Sequence, residues 1–312
     1  MQYGQIEGLD RPVSRVVLGS MGLNTDDPSH VGSMIERYLE RGGNMIDTAN
    51  VYGGGKSERS IGEWVKRSGR REDILLLTKG AHHDKIGKRV SPDEISLDLG
   101  QSLERLGVRS VDLYVLHRDN PDVPVGPIVK TLNHHLARGR IKAFGGSNWS
   151  HERLREASAY ARRNDLKPFA ASSPNLALAV PKEPMWPDCI SIAGDREAQA
   201  WYRRAKMPVL SWSSQAGGFF TGRFTPEKPD NADMVRVYYK DANWERYRRA
   251  EQLGKELGYS TIQIALAWVM NQPDLNVFAL IGPKSIEELD SSLDAAELRL
   301  TPKQVRWLNL ES

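Results

Sequence analysis

Eight times along this chain a short apolar run is followed by a longer amphipathic stretch, an order that few folds accommodate. The runs lie at 16–19, 45–48, 74–79, 111–117, 141–145, 169–173, 209–212 and 277–281. Most are rich in Val, Ile and Leu and bounded by turn residues, as parallel strands buried on both faces are. The stretches between them carry helical spacing. Val31, Met34, Ile35, Tyr38 and Leu39 share one face, and Gly42-Gly43 closes that segment. Ile95, Leu99, Leu103 and Leu106 form a second stripe between a Ser91-Pro92 start and a Gly107 stop. Ser285-Ile286-Glu287-Glu288 reads as a capping box, and Thr301-Pro302 opens the last helix.

Two architectures use this alternation. An open doubly wound sheet usually places a Gly-rich phosphate loop after its first strand. Here Gly19-Ser20-Met21-Gly22 follows that strand with the wrong spacing. A closed (β/α)₈ TIM barrel is therefore predicted, as one domain over 1–312; about 250 residues or more is ordinary for that fold. Two segments depart from the alternation, 174–194 with Trp186 and 222–243 with Pro226, Pro229 and Tyr238-Tyr239. Both follow a strand, which puts long loops on the C-terminal face of the barrel, where such loops shape sites.

Charge and cysteine content narrow the function classes. Lys plus Arg number 43 against 40 Asp plus Glu, a net +3 that argues for neither a nucleic acid nor a membrane surface as partner. Cys189 is alone, so neither an intramolecular disulfide nor a Cys-rich zinc site is expected. Met1–Asp10 lacks the apolar core of a secretory signal, and no apolar run reaches the roughly 20 residues that span a bilayer. A soluble cytoplasmic protein is the expectation. Oligomeric state is not legible.

Functional side chains of a barrel sit at the C-terminal ends of its strands. Asp47, Lys79 and His117 fall there, and Tyr52 follows Asp47 on one loop. A tyrosine hydroxyl ordinarily titrates at about pH 10, too high to donate a proton readily at neutral pH. A nearby ammonium lowers that value, an aspartate holds the ammonium, and a neutral histidine orients a carbonyl. The group suits proton donation to a carbonyl oxygen while hydride reaches the carbon. No serine or cysteine is paired with a base for acyl transfer.

The stretch Ile46-Asp47-Thr48-Ala49-Asn50-Val51-Tyr52-Gly53, continued by Ser57-Glu58 and Ile61-Gly62, resembles the first signature of the aldo-keto reductase family. Leu77-Thr78-Lys79, Asp112-Leu113-Tyr114 with His117, and 139–145 leading into Ser147-Asn148 carry the resemblance further, and it covers nearly the whole chain. It implies a (β/α)₈ barrel, hydride transfer between a nicotinamide cofactor and an aldehyde or ketone, and a catalytic tetrad at Asp47, Tyr52, Lys79 and His117. Tyr52 is then the general acid in reduction and the base in oxidation. The implied substrate is a small carbonyl compound or a sugar-like molecule.

The same resemblance assigns cofactor contacts. Ser147 and Asn148 match the pair that binds the nicotinamide carboxamide, and Ser172 stands where many relatives carry a Gln for the same group. Trp212 either stacks on the nicotinamide or is a rim aromatic. Ser213, Ser214, Gln215 and Gly217 belong to a loop that cradles the pyrophosphate, with Arg223 reaching a phosphate. Gly282, Lys284 and Ser285 resemble the start of the helix that receives an adenosine 2′-phosphate, a position with a physical basis in anion binding. Glu288 departs from the usual Arg or Gln and would repel that phosphate, whereas it accepts from a free 2′-hydroxyl. Lys284 pulls the other way. Ser292 replaces a frequent Asn near the adenine. The expectation is NADPH, with NADH as the alternative.

Several residues keep two readings. Arg118-Asp119 either hydrogen-bond a polyhydroxylated substrate or pair with each other. His82-His83-Asp84 reads as a structural or substrate-loop segment rather than a metal site. His134-His135 reads as surface, Cys189 as inert. Trp186, Trp244 and Tyr238-Tyr239 either wall a substrate pocket or anchor the loops. Two rival functions stay open: an NAD-dependent sugar or polyol dehydrogenase, and a cofactor-sensing regulatory subunit with little turnover.

Overall fold

The structure, a computed structural model, describes residues 1–23 and 26–311. An antiparallel hairpin, β1 (Tyr3–Gly4) and β2 (Val13–Ser14), precedes eight parallel strands. These are β3 (Val16–Gly19), β4 (Met45–Asp47), β5 (Leu75–Gly80), β6 (Val111–Leu116), β7 (Ile141–Ser147), β8 (Ala171–Ser173), β9 (Val209–Ser211) and β10 (Val277–Ile281). Each pairs with its neighbours in sequence order, and β10 returns to β3 with Ala279 beside Val16, closing the barrel. The (β/α)₈ barrel read from the sequence is the fold observed.

Strand alternation builds two cores. Val17, Met45, Leu75, Leu77, Leu113, Val115, Phe278 and Leu280 point inward and fill the barrel. Val16, Leu18, Ile46, Leu76, Tyr114 and Phe144 point outward against the helices. Ile6 and Val13, from the hairpin, join the interior set and floor the barrel at its N-terminal end. This hairpin was not foreseen: its strands are two residues each, too short for a period to register.

The helices are α1 (Pro28–Glu40), α2 (Lys56–Ser68), α3 (Pro92–Leu106), α4 (Val125–Ala137), α5 (His151–Arg163), α6 (Arg196–Ala205), α7 (Ala232–Tyr238), α8 (Asp241–Leu257), α9 (Thr261–Met270), α10 (Ile286–Ala295) and α11 (Pro302–Leu308). Helix α3 starts in a full capping box, Ser91 with Glu94, and stops at Gly107 with φ 64°. Thr301 and Gln304 box the start of α11. At α10 the box is only half formed. Ser285 accepts from the Glu288 N–H at 3.3 Å, but the Glu288 carboxylate takes the N–H of Lys284, 2.8 Å away, instead of that of Ser285.

The segment 222–243 is not a bare loop, since it holds α7 and the start of α8. Tyr238 there is buried, and Phe219 packs against Tyr238, Tyr239, Trp244 and Tyr247 with ring centroids 4.6–6.3 Å apart. These aromatics anchor the loop. His134 is exposed as expected, but His135 is not a surface residue: it is buried, its Nε2 lies 3.0 Å from Ser96 Oγ, and burial pushes its pKa down to about 4. Among the described residues no helix is long and apolar enough to cross a membrane.

Candidate active site

The carboxyl ends of β4, β5 and β6 bring four polar side chains to one rim. Asp47 ends β4, Lys79 is the penultimate residue of β5, and His117 is the first residue beyond β6. Tyr52 opens a tight turn, Tyr52–Gly55, in which Gly53 and Gly54 take φ of 57° and 62°, and its ring returns over the strand ends. Lys79 is the hub. Its Nζ donates a short hydrogen bond to Asp47 Oδ1, another to the Thr48 carbonyl at 3.3 Å, and a third to the Tyr52 hydroxyl at 3.2 Å. All three ammonium protons are thereby used. Tyr52 meets His117 edge to face, with centroids 5.7 Å apart at 78°.

Burial decides the protonation states. It raises the Tyr52 hydroxyl above its ordinary pKa; Lys79 opposes the shift without overcoming it, and Asp47 adds to it. The sequence reading expected a net lowering, and this is corrected: Asp47 offsets the ammonium, leaving desolvation in control. Burial holds His117 well below the usual histidine range, reinforced by the charges of Lys79 and Arg118. For Lys79, burial acts downward, but Asp47 and Tyr52 together hold it above its ordinary value. Tyr52 is therefore protonated, His117 neutral and Lys79 charged at neutral pH.

A buried network holds this loop in place. Glu58, fully buried, accepts from Thr78 Oγ1 at 2.7 Å and from Arg105 Nη1 at 3.2 Å. Arg105 also donates to the Asn50 carbonyl at 2.8 Å, which ties the Tyr52 loop to α3. Close approach of α2 to α3 requires Gly62, where a Cβ would stand 2.6 Å from the Arg105 carbonyl oxygen. The Ser57-Glu58 and Ile61-Gly62 pattern was visible in the sequence, but the partners of Glu58 were not.

Beside His117 the structure gathers Ser147, Asn148 and Trp212. Asn148 Nδ2 donates to the His117 carbonyl at 3.3 Å and to Ser147 Oγ at 3.1 Å. Its Oδ1 accepts from the Ile190 N–H and from the Trp212 indole N–H, each at 3.1 Å. Trp186, from the 174–194 loop, lies 5.7 Å from Trp212. Ser172 is not brought to this rim, contrary to the sequence reading. Its hydroxyl is buried 2.8 Å from Tyr202 of α6, while its neighbour Ala171 fills the inward position. Strand parity turns Ser172 toward α6 and away from the barrel interior.

The remaining cofactor candidates meet at the ends of β9 and β10. Ser214 Oγ donates to the Leu280 carbonyl at 2.7 Å and so joins the two strands rather than facing a ligand. Ser213 has φ 46°. Gln215 Nε2 donates to Ser292 Oγ at 3.4 Å, and Ser292 donates to the Glu288 carbonyl at 2.9 Å. Gly217 and Gly218 take φ of 62° and 85°. A Cβ on Gly218 would stand 2.4 Å from an Arg223 guanidinium nitrogen, so Arg223 folds back over the open glycine backbone. A bare backbone turn beside a guanidinium fits a pyrophosphate. Gly282, Lys284 and Glu288 are exposed at the start of α10, with Ser285 as its N-cap.

With this geometry in hand, the comparisons place the chain. Residues 15–309 match the model of the Aldo/keto reductase family, and the chain belongs to that family. It is 28% identical to the uncharacterized oxidoreductase YrpG of Bacillus subtilis (strain 168), over 99% of this chain and 95% of that protein. It is 24% identical to an aryl-alcohol dehydrogenase [NADP(+)] of Phanerodontia chrysosporium, over 95% and 82% of the two chains. The crystal structure of the thermostable aldo-keto reductase Tm1743 with the inhibitor epalrestat superposes over the full length of both chains, with a TM-score of 0.78 at 21% identity, a likeness of fold.

Proposed function

We propose that the protein is a nicotinamide-dependent carbonyl reductase in which Tyr52 is the general acid of reduction and the general base of the reverse oxidation. The observation that carries the reading is the Tyr52 hydroxyl, 3.2 Å from the Lys79 ammonium and set edge-on to a neutral His117. Ser147, Asn148 and Trp212 would hold a reduced nicotinamide, which would supply the hydride. As the carbonyl oxygen gains negative charge, the Tyr52 O–H and the His117 imidazole stabilise it as hydrogen-bond donors. Tyr52 then gives that oxygen its proton, completing the alcohol. Lys79 stabilises the phenolate left behind, and Asp47 keeps Lys79 in place and charged. Bulk water returns the proton to Tyr52.

This assignment fixes a pH profile. Tyr52 must be protonated for reduction, and its pKa is raised; His117 must be neutral, and its pKa is lowered. Neither group changes state between its own shifted value and the other's. The kcat/KM for reduction is therefore expected to stay flat from about pH 6.5 to about pH 10, the ordinary values of the two groups, while oxidation rises with pH as Tyr52 ionises. A reduction limb that falls with a midpoint near neutrality would contradict the assignment.

For the cofactor we favour NADPH, supported by Lys284 at the start of α10 and by relatives named for NADP(+). Glu288 opposes this choice, because its carboxylate stands at the start of α10 and occupies the Lys284 N–H. Glu288→Gln is expected to raise the ratio of kcat/KM for NADPH over NADH by about fivefold, the scale of one solvent-exposed charge contact. An unchanged ratio would remove Glu288 from the cofactor site. The deciding experiment follows NADPH and NADH oxidation across a panel of aldehydes and sugar-derived carbonyls, with Tyr52→Phe as control. Tight cofactor binding without turnover on any of them would favour a cofactor-sensing role instead.

A further inference from the structure

Arg118 follows His117 and is 6% exposed. Among the described residues one of its five N–H donors is used, Nη1 to the His117 carbonyl at 2.9 Å, while its buried Nε has no hydrogen-bond partner there. No carboxylate pairs with it among the described residues. Its neighbour Asp119 turns away to Arg153, 3.1 Å from Oδ2 to Nε. A guanidinium buried on one neutral acceptor is costly, and such groups are ordinarily paired. The charge sits close to the reacting rim. Burial dominates the shifts at Tyr52, His82, His117 and Cys189, and Arg118 acts on all four. Cofactor phosphates do not supply the missing anion: β6 is four strands from β10, which precedes Lys284, and three from β9, which precedes Arg223, in the ring of eight.

We propose that Arg118 receives an anionic group of the substrate, so that the carbonyl compounds reduced here are oxo acids, aldehydes or ketones that carry a carboxylate. The proposal rests on the reductase reading and narrows its substrate class. The planar fork of Arg118 offers paired N–H donors to a carboxylate while Tyr52 and His117 hold the carbonyl oxygen of the same molecule.

The test compares 2-, 3- and 4-formylbenzoate, each with its own methyl ester, at saturating cofactor. For at least one isomer, wild-type kcat/KM is expected to favour the acid over the ester by roughly 10- to 100-fold, the scale of charge-assisted hydrogen bonds. Arg118→Met should bring that ratio close to one, and Arg118→Lys should keep part of it. The ratio is taken within each protein, so a general loss of activity cancels. No isomer favoured over its ester, or a ratio that survives in Arg118→Met, would overturn the proposal. A second readout needs neither a variant nor turnover: quenching of Trp fluorescence by benzoate against benzamide in the wild-type cofactor complex. Benzoate binding no tighter than benzamide would overturn the Arg118 assignment. Turnover of the esters without preference for the acids leaves the reductase reading standing, whereas turnover of none of the six with tight benzoate binding counts against the reductase reading alone.

Discussion

Tyr52→Phe is expected to lower kcat/KM for carbonyl reduction by about 10²- to 10⁴-fold, the usual contribution of one positioned general acid. The change removes one oxygen and leaves the ring where it is. The edge-to-face contact with His117 and the Lys79 ammonium 5.0 Å from the ring centroid both involve ring atoms that phenylalanine keeps. Lys79 loses one of three acceptors but retains Asp47 and the Thr48 carbonyl, so the fold has little reason to respond. Cofactor affinity, read by quenching of Trp212 and its neighbours, should change less than threefold, about 0.6 kcal/mol. A variant that kept kcat/KM within tenfold of the parent would take Tyr52 out of the chemistry.

Lys79→Met probes the same cluster from below and should lower stability as well as activity. Asp47 is buried, and Lys79 is its only ion-pair partner among the described residues. Breaking a buried pair from one side costs about 3–5 kcal/mol, because the remaining charge is stranded or must take up a proton. A fall in melting temperature on the order of 5–15 °C follows. Adding Asp47→Asn removes the stranded charge, so the double variant should recover at least half of the lost stability and none of the lost activity. Thermal unfolding of the two variants checks this. A Lys79→Met protein as stable as the parent would mean that Asp47 is not held as a buried anion.

Much of this architecture is written locally in the chain. Buried strands are short apolar runs and their helices carry caps, so Ser91, Gly107 and Thr301 mark their ends where the structure has them. The tetrad was legible because strand ends and one loop place it together. What depended on orientation or on distant partners was not. Ser172 lies in a run of small residues, Ala170-Ala171-Ser172-Ser173, whose composition does not say which parity faces the barrel interior. Asp119 was read beside Arg118 because they are adjacent, yet its partner is Arg153, 34 positions on. Tyr52 was expected to ionise more easily because the count of nearby charges is visible in a motif, whereas the depth of burial is a property of the assembled loops. His135 was assigned to the surface from its polarity, although Leu132 and Val129 place it on a buried face of α4.

The closure of the barrel also bears on how the protein is made. β3 pairs with β10, more than 250 residues away in the chain, and Arg15 reaches across the same seam to the Val277 carbonyl at 2.9 Å. During synthesis β3 emerges first of the eight barrel strands and its partner last. Until β10 emerges, at about 5–20 residues per second, the growing sheet has one unpaired edge at β3 and another at its newest strand. Such edges invite pairing with other chains. Because loop closure over so long a separation is entropically costly, the completing step waits on the last barrel strand. A ribosome that stalls before residue 277 would therefore release an open sheet, a species prone to aggregate rather than a slightly shortened barrel.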